Sequence, residues 1–288
     1  MFKVSTNKLG FKFINPTPSK KQLDKFYFNK YFKKTITYKD KFKKIENSYY
    51  HSISLVQIFM LKNKIKNLSK KNLLDLGAGQ GTFLLNVQNF FKTSLGIDYS
   101  FENLSSESKS KINFISMSPE NFIKKNLKKY DIITLNNVLE HVSNPIKFMK
   151  TLKKNIKKNT YIMVVVPNDF SYLQQETNKR VRKKNYWLLP PEHLNYFNKE
   201  NFKNFSNKIG FNVVDAIADF PIELFLLKKD FDYTKNPTLG KKIHLLRCEI
   251  MSYLVKNNSI SKVYEFLKLI NQLNIGRNNY FLLKKNRN

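Results

Sequence analysis

Three glycines, Gly77, Gly79 and Gly81, stand within five residues of a chain that holds only eight. They follow the apolar run Leu73-Leu74-Asp75-Leu76 and precede Thr82-Phe83-Leu84-Leu85. That pattern predicts a strand running through a turn into a helix. A backbone that turns sharply and comes close to a ligand needs residues without a Cβ. The helix that follows presents free N–H groups at its start. Seventeen residues past Gly81, the run Gly96-Ile97-Asp98-Tyr99 ends a second predicted strand in a carboxylate. A carboxylate there can accept hydrogen bonds from both hydroxyls of a ribose. A dinucleotide site would fit this much, but its fingerprint is GxGxxG. Here the spacing is Gly-x-Gly-x-Gly with Asp75 two places ahead.

Two histidines are candidates for proton transfer, since imidazole titrates near neutral pH. His141 lies in Asn136-Asn137-Val138-Leu139-Glu140-His141, after a predicted strand. His193 lies in Pro190-Pro191-Glu192-His193-Leu194-Asn195-Tyr196-Phe197, close to the single tryptophan, Trp187. Each has a plainer reading: His141 packs at a helix start, and His193 orders its loop. The four histidines, the other two being His51 and His244, are scattered along the chain. No pair has the close spacing of a helical metal site, and the single cysteine, Cys248, excludes a cysteine-based cluster. No metal is expected.

These residues need elements to hold them. Strands are predicted at Asn72–Leu76, Ser94–Asp98, Ile112–Ile115, Asp131–Leu135 and Tyr161–Val166, with helical patterns between them at Phe83–Phe91 and Pro145–Ile156. Such alternation implies parallel βαβ units with helices on both faces. Residues 1–37 read as irregular, basic and aromatic, and 38–68 as a helix with Ile45, Tyr49, Ile53, Val56 and Met60 on one stripe. Lys199–Ile209 reads as a helix ended by Gly210, Phe211–Ile217 as a strand, 221–275 as largely helical, and Tyr280–Leu283 as a last strand. In the 221–275 segment, His244 and Arg247 would share one helical face.

The net charge is +31, but 47 of the 52 cations are lysine and only 5 are arginine. Asparagine occurs 36 times and alanine 3 times, a skew towards residues with AT-rich codons. Lysine is spread over the whole chain, and the plain reading is a solvated basic surface. The functional reading is attraction to nucleic acid, a membrane surface or a phosphorylated substrate. The longest apolar runs are too short to span a bilayer, and no signal-peptide pattern opens the chain. A reducing, cytoplasmic location is expected.

The Asp-x-Gly-x-Gly-x-Gly stretch at 75–81 resembles motif I of the class I S-adenosylmethionine (SAM)-dependent methyltransferases. Asp98 matches that family's acidic residue at the end of the second strand. The segment Tyr130–Pro145, with Val138-Leu139-Glu140-His141-Val142, resembles its fourth strand in the branch that includes ubiquinone-biosynthesis O-methyltransferases. The resemblance covers about residues 70–220 clearly and 277–285 weakly. It implies an α/β, Rossmann-like sheet of seven strands, mostly parallel with an antiparallel last strand. N-terminal helices and a helical insertion before the last strand would complete it. The implied division is a basic N-terminal segment and helix over 1–69, a SAM-binding core over 70–220, an insertion or cap over 221–275, and the last core strand over 276–288.

It also implies SAM as cofactor, held by Asp75, Gly77, Ala78, Gly79, Gly81, Asp98, Tyr99, Met117 and Asn136. Ser116-Met117-Ser118 would lie along the adenine, without the acidic residue that many relatives carry there. Trp187, His244 and Arg247 are expected at the acceptor, with Arg247 on an anionic group of it, or else in an internal ion pair. The reading favours O-methylation of a small molecule, a sugar, sugar nucleotide or phenol, with no stable nucleic-acid partner. An RNA methyltransferase and a non-catalytic SAM-binding module stay open. Against the former, Asn136-Asn137-Val138-Leu139 lacks the Pro-Pro-aromatic signature of base-amine methylation.

Overall fold

The computed structural model describes residues 2–19, 21–23, 25–26, 40–181 and 185–286, without the side chains of 40–42 and 103. Among the described residues there are ten strands: β1 (Lys3–Thr6), β2 (Lys12–Asn15), β3 (Asn72–Leu76), β4 (Thr93–Asp98) and β5 (Phe114–Ser116), then β6 (Ile132–Asn136), β7 (Tyr161–Pro167), β8 (Asn195–Tyr196), β9 (Phe211–Ala218) and β10 (Asn278–Lys285). Seven of them form one sheet in the order β5-β4-β3-β6-β7-β10-β9. Neighbours from β5 to β7 pair in parallel, and β10 runs antiparallel between β7 and β9.

Successive residues of a strand point to opposite faces, and the apolar runs are long enough to furnish both. Leu74, Leu76, Ile133, Leu135, Val164, Val166 and Phe281 join the core beneath the helices Pro145–Asn155 and Lys199–Ile209. Leu73, Ile132, Met163, Val165 and Leu282 face the other way. There they meet Val56 and Met60 of the helix Asp40–Lys62, Leu84 of Thr82–Val87, Met251 of Pro237–Asn257, and Leu267 of Ile260–Gln272. The two long helices of the 221–275 segment are therefore spent on covering a sheet face.

The strand order reverses between β3 and β6, so the chain leaves these two neighbours in opposite directions at their carboxyl ends. A ligand crevice opens at such a switch point. The loop 77–81 and Asn136 both sit there.

The N-terminal segment departs from the expected irregular reading. β1 and β2 pair antiparallel, and β2 also pairs with β8 to make a small second sheet. Ile14, Leu23, Trp187, Leu194 and Tyr196 form its buried core. Strands of only four residues carry little local signal, and their partner β8 lies far along the chain. Residues 1, 20, 24 and 27–37 of that segment, and 38–39 of the expected helix, lie outside the described residues. β5 begins at Phe114 rather than Ile112, because Ile112 caps the helix Ser106–Lys111 with its backbone N–H.

Candidate active site

The turn after β3 works as its glycines require. Gly77 and Gly81 have φ of +81° and +77°, in the left-handed region. A Cβ on Gly77 would lie 2.5 Å from Val138 Cγ2, and one on Gly81 2.7 Å from Ser108 Oγ. The Gly77 and Ala78 N–H groups donate to the Ile97 carbonyl, tying the turn to β4. Gly79 differs: its φ is +53°, and a Cβ there would meet no protein atom within 4 Å. Its N–H donates to Asp98 Oδ2 at 2.8 Å, and the Tyr99 N–H donates to Oδ1 at 2.7 Å. A carboxylate has about four lone-pair positions. Asp98 therefore spends one of them on the turn, at Gly79, and one on the N–H of the next residue, Tyr99.

Beneath the turn lies a polar chain that only folding assembles. Asp75 is 1% exposed, and its Oδ1 accepts from Thr134 Oγ1 at 2.6 Å and from Asn136 Nδ2 at 3.3 Å. Asn136 Oδ1 in turn accepts from Gln57 Nε2 at 3.0 Å. Burial pushes the Asp75 carboxyl up to about 7, against the pull of the Thr134 hydrogen bond. The sequence pattern marked Asp75 and Asn136 but not Thr134 or Gln57, which carry no motif.

Tyr99 is exposed, and its hydroxyl donates to Glu120 Oε2 at 2.9 Å. The Met117 N–H donates to the Asp98 carbonyl at 2.8 Å. Glu120 lies two residues past the 116–118 segment, at the start of the short helix Pro119–Phe122.

His141 and His193 come together, their ring centroids 5.0 Å apart. His141 Nδ1 donates to the Glu192 carbonyl at 2.7 Å. Both segments are clamped to each other. The Glu140 carbonyl accepts from the Leu194 and Asn195 N–H groups, and the Asn195 side-chain amide donates to the carbonyls of Leu139 and Val142. Val138, three residues before His141, is the side chain that abuts Gly77. The segment that carries His141 therefore starts against the glycine turn.

A methyltransferase-domain family model matches residues 53–216, more than half the chain. The chain belongs to this methyltransferase family. The methyltransferase is 26% identical over 175 residues to the tRNA U34 carboxymethyltransferase of Campylobacter jejuni, covering 57% of each chain. It is 29% identical over 121 residues to the ubiquinone biosynthesis O-methyltransferase of Pelagibacter ubique, covering 40% of this chain and 50% of that one. It thus spans little more than half the length of these curated relatives. A solved SAM-dependent methyltransferase from Archaeoglobus fulgidus superposes over 81% of this chain and 94% of its own, with a TM-score of 0.49 and 18% identity. Among the described residues no helix is long and apolar enough to cross a membrane.

The three residues expected at the acceptor are placed differently. Trp187 is 3% exposed, packed edge-on against Phe170 and Tyr186, so it serves the small sheet's core. Arg247 is 5% exposed and bonded inward, to Asp219 Oδ2 at 2.8 Å and the Tyr49 hydroxyl at 3.2 Å. The internal ion pair is the arrangement the structure contains. His244 Nε2 lies 3.3 Å from Glu46 Oε1, and burial pulls its pKa down to about 4. At neutral pH this is a contact between the carboxyl group and an uncharged imidazole, not an ion pair.

A second buried charge group escaped sequence reasoning. Arg277 Nη1 lies 3.4 Å from Asp169 Oδ1 and 3.5 Å from Glu223 Oε1. Burial pushes the Asp169 carboxyl up to about 7. Arg277, like Arg247, is one of only five arginines in the sequence.

Proposed function

We propose that this methyltransferase transfers the SAM methyl group to a hydroxyl oxygen of a small molecule, a sugar, sugar nucleotide or phenol. The observation that carries the reading is the pairing of His141 with His193, where the His141 segment begins at Val138, the residue against the glycine turn. Two separate segments converge there on a proton-handling site at the switch point of the sheet. The turn 77–81 holds the methionine portion, Asp98 the ribose, and Tyr99, Met117 and Glu120 border the adenine. Asp75 and Asn136 act from below, by fixing the turn. SAM supplies an activated methyl on a sulfonium, whose thioether is a ready leaving group. What remains for the chain is to position the acceptor, exclude water and accept one proton. As the acceptor oxygen bonds to the methyl carbon, its proton passes to an imidazole and the carbon–sulfur bond breaks.

The test is a panel of sugars, sugar nucleotides and phenols, with S-adenosylhomocysteine release and product mass as readouts. A methylated small molecule is expected. For that substrate, His193→Ala is expected to lower kcat by about 100-fold or more, the range for loss of an acid–base group. Cofactor affinity should stay unchanged. A second reading, RNA as acceptor, is favoured by the +31 charge and by the likeness to a tRNA-modifying enzyme. Methylation of tRNA at physiological salt, with no small molecule turned over, would replace the first reading by the second. Binding that vanishes with salt and gives no product is the charge alone.

A further inference from the structure

Three charged side chains from separate segments meet at the carboxyl end of β7. Asp169 lies two residues past that strand, Arg277 one residue before β10, and Glu223 in the short helix Ile222–Leu227. From their arrangement we infer that Asp169 and Glu223 hold a protonated amine carried by the methyl acceptor, at a distance from the oxygen that is methylated. The inference deepens the acceptor reading above. It rests on that reading for the methylated oxygen, but not for binding of the amine.

Each carboxylate is engaged on one oxygen only. Arg277 Nη1 reaches Asp169 Oδ1 at 3.4 Å and Glu223 Oε1 at 3.5 Å, and Gln174 Nε2 donates to the same two atoms at 3.5 and 3.1 Å. Asp169 Oδ2 and Glu223 Oε2 are buried, with no hydrogen-bond partner among the described residues. The two residues are 1% and 2% exposed. A buried carboxylate oxygen without a donor is costly, so each of these atoms calls for an explanation, and their place in one cluster calls for a shared one. The charges are also out of balance. Two carboxylates face one guanidinium; burial raises the Asp169 carboxyl, and Glu140 and Glu223 add to the rise. Among the described residues no lysine forms an ion pair with either group, in a chain that has 47 of them. A primary ammonium answers both deficits, since it brings a positive charge together with several N–H donors. An anion would add to the excess negative charge, and a neutral hydroxyl would bring a donor without the charge.

The position suits a methyl acceptor. β7 lies two strand spacings from β3, about 10 Å, on the β6 side, whereas Asp98 ends β4 on the other side of β3. A cofactor over β3 and β4 thus leaves β6 and β7 to the acceptor. Arg277 keeps 25% of its side chain exposed, so the cluster reaches the surface at this edge. The backbone fixes it there. The Asp169 N–H donates to the Phe197 carbonyl at 2.7 Å, and the Asn168 N–H to the Arg277 carbonyl at 2.9 Å. Phe170 then takes the left-handed conformation at φ +57°, a strained choice for an aromatic residue.

The test uses the full-length protein saturated with S-adenosylhomocysteine, titrated by calorimetry with matched pairs: glucosamine against glucose, and tyramine against 4-ethylphenol. A +31 chain repels cations in general, so a preference for the amine cannot come from the overall charge. In at least one pair the amine is expected to bind about tenfold or more tightly than its neutral partner, the range for one charge-assisted hydrogen bond. Glu223→Gln keeps the shape and removes the charge; it should abolish most of that preference and leave S-adenosylhomocysteine affinity unchanged. Folding is checked by circular dichroism, with Asp169→Asn as the second variant, and the wild-type comparison needs neither. Equal or tighter binding of the neutral partner in both pairs, no binding of either amine, or a preference that survives Glu223→Gln in a folded protein overturns the inference. Methylation at the amine nitrogen overturns it too, because a held ammonium has no lone pair for the methyl group. If an amine binds as expected but the acceptor panel gives no O-methylated product, the amine site stands and the reading of the reaction falls. An O-methylated acceptor that carries no amine leaves that reading standing and sinks the amine site.

Discussion

Replacing Arg247 by Met tests how the structure is held together at its far edge. The guanidinium is 2.8 Å from Asp219 Oδ2 and lies 4.8 Å from the centre of the Tyr49 ring. Side-chain exposure is 6% for Arg247 and 0% for Asp219, so the pair is shielded from solvent. Breaking a buried pair from one side costs about 3–5 kcal/mol, because the other charge is left uncompensated. Here Asp219 keeps the Tyr49 hydroxyl and the backbone and side-chain N–H groups of Asn278, at 2.8–2.9 Å, which places the cost towards the lower end. For a domain of this size each kcal/mol shifts Tm by roughly 2–4 °C, so a fall of about 6–12 °C is expected. Asp219 directly follows β9, which lies four strand spacings from β3, about 19 Å away. Cofactor affinity should therefore stay within threefold of wild type. The assay is thermal unfolding by circular dichroism, with S-adenosylhomocysteine affinity by calorimetry. Asp219→Asn added to Arg247→Met should recover part of the loss, since it removes the stranded charge. An Arg247→Met variant with unchanged Tm and a raised acceptor KM would refute this reasoning and return Arg247 to the acceptor.

Three further outcomes are expected. Asp98→Ala removes a carboxylate that both braces Gly79 and would take the ribose; charge-assisted bonds are worth roughly 1.5–3 kcal/mol each, so SAM affinity by calorimetry should fall at least tenfold. Gly77→Ala brings a Cβ to 2.5 Å from Val138 Cγ2 at a φ of +81°, and should weaken cofactor binding and lower Tm; adding Val138→Ala should restore only the part due to the clash, the left-handed conformation costing about 1–2 kcal/mol regardless. His244 has a folded pKa of about 4, below its unfolded value, so the unfolded chain binds more protons between the two. Its contribution is complete above about pH 6.5 and is lost as pH falls towards 4; His244→Gln should flatten the dependence of urea midpoints on pH in that window.

The sequence alone determined the turn and its neighbours, because local sterics and two-residue periodicity are written residue by residue. Gly77, Gly79 and Gly81 announce a backbone that must go where a Cβ cannot. The apolar runs at Leu73–Leu76 and Ile162–Val166 announce strands buried on both faces. Gly210 closed its helix where expected, with a φ of +94°. Tertiary structure alone decided what depends on long-range pairing. Four-residue strands β1 and β2 become a sheet only when β8 arrives. Trp187 is a core residue and not a surface for an acceptor, because the aromatic cluster closes around it. Arg247 meets Asp219, 28 residues away, and its burial makes the pairing obligatory. His141 and His193 read as two separate candidates until the backbone of Glu140 takes hydrogen bonds from Leu194 and Asn195. Spacing along a chain reports neighbours on one helix or strand, whereas a site built from the ends of different strands is assembled by the sheet order.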